Sequence, residues 1–127
     1  PERLLSMVRC HLKALLGLRL DAMIVLLYEW RSLSPAAQTR VLALREAYEA
    51  LWMEPINEAV VLGWVDPDAV LVRQTVLGAL NWTAQWYRPE GRLDVDALAQ
   101  SMYTMLFPRV AAASGAKSIS TLSGIGN

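Results

Sequence analysis

Apolar residues recur at helical spacing along almost the whole chain. In residues 1–17 they repeat every three or four positions, which is typical of one face of an α-helix. These positions are Leu4, Leu5, Val8, Leu12, Leu15 and Leu16. A second segment, from about residue 18 to residue 31, is apolar on most sides, and we expect it to be buried. No alternation of apolar and polar residues indicates a strand, so the pattern predicts an all-α fold.

Local signals predict where the longest helix begins and ends. Ser34 is a strong N-cap residue, and Pro35 suits the first helical position. The helix that follows is expected to reach about Leu62, with Gly63 as its stop. Pro55 lies inside it and removes one backbone hydrogen bond, so we expect a bend there. A break into two helices is the alternative.

Two further helices are predicted by their starting residues. The pair Asp66 and Pro67 repeats the logic of a cap followed by proline, and its helix is expected to run to about Tyr87. Asp94 is the predicted cap of a last helix over residues 95–107. We therefore assign residues 1–110 to one helical domain.

The composition changes at residue 111. Residues 111–127 are small and polar and have no apolar periodicity. Such a segment cannot bury enough surface to order itself. We predict a flexible tail over 111–127.

The chain is more apolar than one small core requires. Of its 127 residues, 54% are hydrophobic and only 19% are charged, which suggests surface hidden in a subunit interface, a ligand cavity or a membrane. The densest apolar runs fall far short of the ~20 residues that span a membrane. Formal net charge is zero, so we do not expect this chain to bind nucleic acid by itself. Its single cysteine fits a reducing, cytoplasmic compartment.

Few residues have the arrangement that catalysis or metal binding requires. His11 is the only histidine and follows Cys10, but neighbouring helical residues diverge by about 100°, and zinc requires four ligands. No nucleophile elbow or phosphate loop is present. Asp94 and Asp96 are interpreted as helix-capping acids. We expect no cofactor, no metal site and no enzymatic activity.

Some polar and aromatic residues are candidates for binding, and each has a structural alternative. Glu29 could contact a polar group at a pocket rim, pair with an arginine, or face water. Asn81 and Gln85, four residues apart, could bond a ligand or a partner subunit. Five tryptophans could fill the core, but together they favour an aromatic cavity.

Three pieces of the chain support a resemblance to a known family. They are residues 28–35 (YEWRSLSP), residues 45–52 (REAYEALW), and residues 66–91, which contain LGALNW and WYRPEG. The chain resembles the C-terminal, ligand-sensing half of TetR-type transcriptional repressors, and within them the branch in which many members respond to acyl-CoA thioesters or other lipid metabolites.

The resemblance implies a homodimer, an effector pocket and a DNA-binding region elsewhere. The last two long helices would form a four-helix bundle with those of a second copy, through Leu77, Gly78, Leu98, Met102 and Met105. An apolar effector would lie between the earlier helices and the first interface helix, with Tyr28, Glu29, Tyr48, Trp52, Asn81, Trp82, Gln85 and Trp86 as candidate ligand-binding residues. The family reads operator DNA through an N-terminal helix-turn-helix, which is not among these residues.

The expected function is therefore that of an effector-sensing and dimerisation domain. A bound apolar molecule, such as an acyl-CoA or a lipid-like compound, would control release from operator DNA. The alternative is a helical homodimeric interaction module that holds no ligand.

Overall fold

The computed structural model describes residues 2–17 and 29–115. In these residues every regular element is a helix, which confirms the all-α class. The elements are α1 (Glu2–Leu16), a short 3-10 turn (Trp30–Ser32), α2 (Pro35–Val61), α3 (Ala69–Trp86), α4 (Val95–Leu106) and α5 (residues 108–115). None of the described helices is long and apolar enough to cross a membrane. The apolar segment expected at residues 18–28 lies outside the described residues.

Two of the three predicted helix starts are confirmed by their capping hydrogen bonds. Ser34 Oγ accepts a hydrogen bond from the Ala37 N–H at 3.1 Å, and Pro35 is the first residue of α2. Asp94 Oδ1 accepts one from the Ala97 N–H at 2.7 Å and so caps α4. Each oxygen satisfies one of the N–H groups that a helix start leaves without a partner.

The predicted start of α3 is wrong by two residues. Asp68, not Asp66, is the cap, since its Oδ1 accepts from the Leu71 N–H at 3.1 Å. Asp66 Oδ1 instead accepts from the Asp68 N–H at 2.9 Å. This side-chain-to-backbone turn uses the Asp66 carboxylate before the helix begins, so Pro67 lies outside α3.

Helix α2 is continuous through Pro55, so the alternative of two separate helices is wrong. Its end agrees with the predicted stop, because Gly63 has φ +72°, a left-handed conformation that glycine adopts readily. The Gly63 N–H bonds the Val60 carbonyl at 3.0 Å and the Trp64 N–H bonds the Ala59 carbonyl at 2.9 Å. This pair of bonds satisfies carbonyls that the helix end would leave free.

Helix α1 lies at the centre of the fold and contacts α2, α3 and α4. Its residues Leu4, Val8 and Leu12 are buried because the three- and four-residue spacing puts them on one face. The connected core consists of Leu4, Val8, Leu12, Trp52, Ile56, Ala59, Val76, Leu77, Leu80, Leu98, Ala99, Met102, Tyr103, Phe107 and Val110. The first half of α2, up to Leu51, contributes no buried residue.

The segment predicted as a tail begins in a helix. Residues 111–115 are helical and continue α5, which corrects the predicted boundary at residue 111. Buried Val110 anchors this helix against the core, and alanine is the best helix former. Residues 116–127, the rest of the predicted tail, lie outside the described residues.

Candidate ligand-binding site

A polar cluster lies where α1, α2 and α3 meet, and His11 is at its centre. His11 Nδ1 is 2.6 Å from the Tyr48 hydroxyl, and His11 Nε2 is 2.7 Å from Asn81 Oδ1. The three residues come from three helices. Tyr48 lies 37 positions and Asn81 lies 70 positions after His11 in the sequence. We call His11, Tyr48, Trp52 and Asn81 the His11 cluster.

Burial determines the charge of the imidazole. It lowers the pKa of His11 below its ordinary value, although the hydrogen bond to Asn81 partly opposes that shift, so the ring is neutral at about pH 7. Asn81 Oδ1 can only accept, so Nε2 of the neutral ring donates to it and Nδ1 accepts from the Tyr48 hydroxyl.

Trp52 forms the floor of the cluster. Its side chain is fully buried, and its ring meets the His11 ring edge-on at 6.1 Å between centroids. The Tyr48 ring stacks on the His11 ring, with 5.6 Å between centroids. The Trp52 Nε1–H is buried and lies beside the Tyr48 hydroxyl, outside ideal hydrogen-bond geometry.

The cluster extends from the surface into the core. Asn81 and Tyr48 are exposed, Tyr48 for 39% of its area, whereas Trp52 is 0% exposed. Burial raises the pKa of the Tyr48 hydroxyl, and a side-chain hydrogen bond with Trp52 works against that rise. Two large apolar side chains of α2 on either side of Tyr48 are exposed as well, Leu44 for 71% and Leu51 for 59%. The rim is therefore apolar around a few polar groups, a composition typical of ligand sites.

Only part of the predicted ligand set is brought together. Tyr48, Trp52 and Asn81 meet around His11, as their shared assignment requires. Trp82, Gln85 and Trp86 do not join them: they are exposed on α3, Trp82 for 65%. The buried side of α3 is formed by other positions, namely Val76, Leu77, Leu80 and Thr83, so the structure does not place these three with the His11 cluster and their role in binding stays a prediction.

The two remaining ligand candidates belong to the segment before α2. Glu29 is exposed and directly precedes the 3-10 turn, without a side-chain capping bond. Tyr28 lies outside the described residues. Neither residue can be assigned to the His11 cluster, and their role in binding stays a prediction.

The predicted dimer residues divide into two groups. Leu77, Leu98 and Met102 are buried in the core of a single protomer, so the expectation that they face a partner is corrected: helix α1 packs against α3 and α4. Gly78 and Met105 are exposed, Met105 for 71%. A Cβ atom built on Gly78 would meet nothing within 4 Å.

Sequence reasoning missed His11 as a binding residue, since it was weighed only for metal binding and for nucleophilic catalysis. A signal was available, since His11 follows the spacing of the buried residues Leu4, Val8 and Leu15 on α1. A polar residue on an apolar helix face needs partners from other helices. Its partners could not be identified without the fold.

A separate open groove lies at the C-terminal end of α2. It is lined by Glu54, Asn57, Glu58, Val61 and Leu62. Glu54 forms an ion pair with Arg3 of α1 at 3.2 Å, and this contact lowers the pKa of Glu54. The groove contains none of the predicted ligand residues.

Two solved structures resemble this chain. The superantigen PfiT is 42% identical with a TM-score of 0.72, over 82% of this chain and 55% of that one. AibR, whose structure is a complex with isovaleryl coenzyme A and operator DNA, is 28% identical with a TM-score of 0.71, over 84% of this chain and 58% of that one. The chain thus spans little more than half the length of either protein. No curated protein matches it.

The sequence also matches a described domain family. Residues 1–110, which include the whole His11 cluster, match the tetracyclin repressor-like C-terminal domain. The match therefore covers α1 to α4, the elements that form the site and most of the core. The chain belongs to the tetracyclin repressor-like C-terminal domain family.

Proposed function

We propose that this chain is the effector-sensing and dimerisation domain of a TetR-family transcriptional regulator. In this proposal an apolar small molecule binds at the His11 cluster, between α1, α2 and α3, and controls release of the intact regulator from operator DNA. The observation that carries it is the cluster itself: a neutral polar group, aromatic walls and an exposed apolar rim at the junction of three helices.

The position of α1 supports coupling between ligand and DNA. Helix α1 supplies His11 to the cluster and also packs against α3 and α4. A ligand that favours one arrangement of α2 and α3 would therefore shift α1 as well. Half-site spacing on DNA is geometrically strict, so a small shift is enough to weaken operator binding. Coupling of ~1–3 kcal/mol is typical of such effectors.

The relatives support this function without choosing the ligand. The structure of AibR contains isovaleryl coenzyme A and operator DNA. An acyl-CoA thioester is therefore the leading candidate effector here, and operator DNA the leading candidate target of the intact regulator. PfiT, a superantigen, has the same fold. Because one fold hosts different functions, the ligand must be argued from the site.

The dimer is proposed through the open face of α3, which we define as Leu71, Thr75, Gly78, Trp82 and Trp86. All five residues are exposed and none is charged. Small Gly78 allows close approach of a second helix, and Met105 of α4 is also exposed. A two-fold dimer buries such a face against its own copy.

Titration with ligands tests the sensing role. Acyl-CoA thioesters and free fatty acids are added while tryptophan fluorescence and thermal unfolding are followed. A saturable change is expected, with stabilisation of about 2.7 kcal/mol at a hundredfold excess over the dissociation constant. Absence of any response to every apolar candidate would contradict the proposal.

A matched pair of variants locates the binding site. Asn81→Ala removes the acceptor for His11 Nε2 and is expected to weaken binding. Gln85→Ala removes a similar amide one turn away on α3, outside the cluster, and is expected to leave affinity unchanged. Equal effects of both variants would place the ligand elsewhere.

A homodimeric interaction module without a ligand is the second candidate. The observation that favours it is that Trp52 is fully buried and packed against other core residues. This candidate predicts the same dimer but no saturable response to any small molecule. The titration above therefore separates the two.

A further inference from the structure

Tyr48, His11 and Asn81 are arranged as a hydroxyl, a base and an acceptor that orients the base. The Tyr48 hydroxyl is 2.6 Å from His11 Nδ1, and the opposite ring nitrogen, Nε2, is 2.7 Å from Asn81 Oδ1. Both distances are within the range that proton transfer from a nucleophile to its base requires. The bond to Asn81 holds the ring in the tautomer whose Nδ1 lone pair faces the hydroxyl. His11 is therefore positioned to remove the Tyr48 proton.

The Tyr48 hydroxyl is accessible to a small molecule. Tyr48 is 39% exposed, and both hydrogen bonds of His11 lie at the surface of the protein. Exposed Leu44 and Leu51 lie four residues before and three residues after Tyr48 on the same face of α2. Tyr103, in contrast, is only 3% exposed. A small apolar reagent can therefore approach Tyr48 from solvent.

The hydroxyl of Tyr48 needs a base before it can act as a nucleophile. An ordinary tyrosine has a pKa of about 10 and is almost entirely protonated near pH 7, and burial raises the pKa of Tyr48 further. Neutral His11 overcomes this obstacle because it takes the proton while the hydroxyl oxygen forms its new bond. His11 is the only histidine in the chain, so no other tyrosine has such a base.

We propose that Tyr48 is a covalent modification site, at which Tyr48 Oη takes the acyl group of an uncharged activated ester with His11 as general base. A bond forms between Oη and the acyl carbon, and the bond from that carbon to the leaving oxygen breaks. The hydroxyl proton moves to His11 Nδ1 and then to solvent, and the leaving group departs as a phenolate, which needs no proton. The inference is independent of the proposed function.

Acylation of Tyr48 changes the contacts between the helices. An acylated Tyr48 has no O–H to donate, so His11 of α1 loses its hydrogen bond to α2. Its bond to Asn81 of α3 does not involve Tyr48 and is kept. The modification therefore weakens one of the two polar links that His11 forms between α1 and its neighbours.

Peptide mapping of the full chain after treatment with p-nitrophenyl acetate tests this inference. Trypsin places each of the four tyrosines in a separate peptide, and the Tyr48 peptide, residues 46–73, contains no serine, threonine, lysine, cysteine or histidine. An added acetyl group on this peptide therefore reports Tyr48. At about pH 7.5 Tyr48 is expected to react at least about tenfold faster than partly exposed Tyr87. Equal rates, or an unmodified Tyr48 peptide, would overturn the inference.

Variants of the cluster separate a base from a merely structural histidine. His11→Gln keeps a polar side chain and removes the base, so acetylation of Tyr48 is expected to slow about a hundredfold, while that of Tyr87 is unchanged. Gln85→Ala, outside the cluster, is the control and is expected to change neither rate. Circular dichroism checks that both variants are folded. An unchanged Tyr48 rate in folded His11→Gln would show that His11 is not the base.

The pH profile of the unmodified chain gives a test that needs no variant. The titratable groups that act on the Tyr48 hydroxyl are His11 and Cys10, both on α1. With His11 as the base, the rate follows the neutral imidazole: it is level from about pH 7 to about pH 8.5 and falls as the pH decreases below about 6.5. Direct reaction of ionised tyrosine would instead rise about tenfold per pH unit over the same range, and that profile would overturn the inference.

Asn81 is a positioning residue in this scheme, and two substitutions test that role. Asn81→Asp keeps the oxygen acceptor, so the Tyr48 rate is expected to be retained at about pH 7.5. Its carboxylate also stabilises the imidazolium, so the fall in rate is expected to begin at a higher pH. Asn81→Ala removes the acceptor and is expected to slow the reaction. An unshifted pH profile in Asn81→Asp would show that Asn81 does not act through His11.

Discussion

The His11 cluster and the open face of α3 contain the same kinds of side chain in opposite environments. Each contains tryptophan: Trp52 in the His11 cluster, and Trp82 and Trp86 on the open face. Trp52 is fully buried, whereas Trp82 is 65% exposed. The difference comes from the neighbours, because α1 covers the first region, whereas the second remains exposed among the described residues.

This comparison shows that residue type does not assign a role to an aromatic side chain. A tryptophan packed against a central helix, as Trp52 is, contributes to the core and to the His11 cluster. A tryptophan on an uncovered face contributes to neither within one protomer and is available to a partner. The following experiments test that division.

Substitution of the two tryptophans by alanine gives the largest contrast. Trp52→Ala is expected to lower the free energy of unfolding by about 3–5 kcal/mol, since it leaves a large core cavity. Trp82→Ala should cost much less at low protein concentration. Urea unfolding at several protein concentrations measures both. An equal loss at low concentration would contradict the division.

A lysine at Gly78 tests whether the open face of α3 binds a second copy. Gly78→Lys places two like charges against each other in the proposed dimer, and we expect the dissociation constant to rise at least about tenfold, or ~1.4 kcal/mol. Sedimentation velocity measures it. Ala43→Lys, an exposed position on α2, is the control and should not change it. An unaffected Gly78→Lys dimer would place the interface elsewhere.

Substitutions of the two aspartates before α3 are expected to lower the free energy of unfolding by a smaller amount. They test both regions, since α3 contains Asn81 of the His11 cluster and Trp82 of the open face. Asp68→Ala is expected to cost about 1 kcal/mol, the usual value of an N-cap. Asp66→Ala should cost less, because it bonds only the turn before the helix. Thermal unfolding of the two variants compares them. A larger loss from Asp66→Ala would favour the original sequence prediction.

The smallest effect is expected from a change of pH, which alters the free energy of unfolding through the His11 cluster alone. Burial lowers the pKa of His11 below 6.5, so the unfolded chain takes up a proton first as the pH falls. The free energy of unfolding is expected to be independent of His11 protonation above about pH 6.5. Below that pH it is expected to decrease until the pH reaches the lower pKa of His11 in the folded state. His11 is the only histidine, so His11→Gln should abolish this dependence above about pH 5. An unchanged pH profile in that variant would show that His11 is not its source.

Local features of the chain could be predicted because each depends on a few adjacent residues. The caps at Ser34 and Asp94 and the stop at Gly63 follow from side-chain oxygens and backbone freedom that act within one turn. The start of α3 was misplaced for the same local reason, since two aspartates compete for neighbouring N–H groups and the sequence does not rank them.

The candidate site could be predicted only in part. Tyr48 and Trp52 lie one helical turn apart, so their common face is visible in the sequence. Their contact with His11 and Asn81 joins three helices, and no spacing rule specifies it. Leu77, Leu98 and Met102 were assigned to a partner because an apolar face indicates burial but does not indicate which surface buries it.

The sequence by itself determined the all-α class, most helix boundaries and an excess of apolar surface, because periodicity and capping act over a few residues. Only the tertiary structure decided which apolar faces α1 covers, which tryptophan is buried and which polar groups meet around His11. Those outcomes depend on contacts between helices that are far apart in the chain, where shape and hydrogen-bond geometry select one arrangement among many of similar composition.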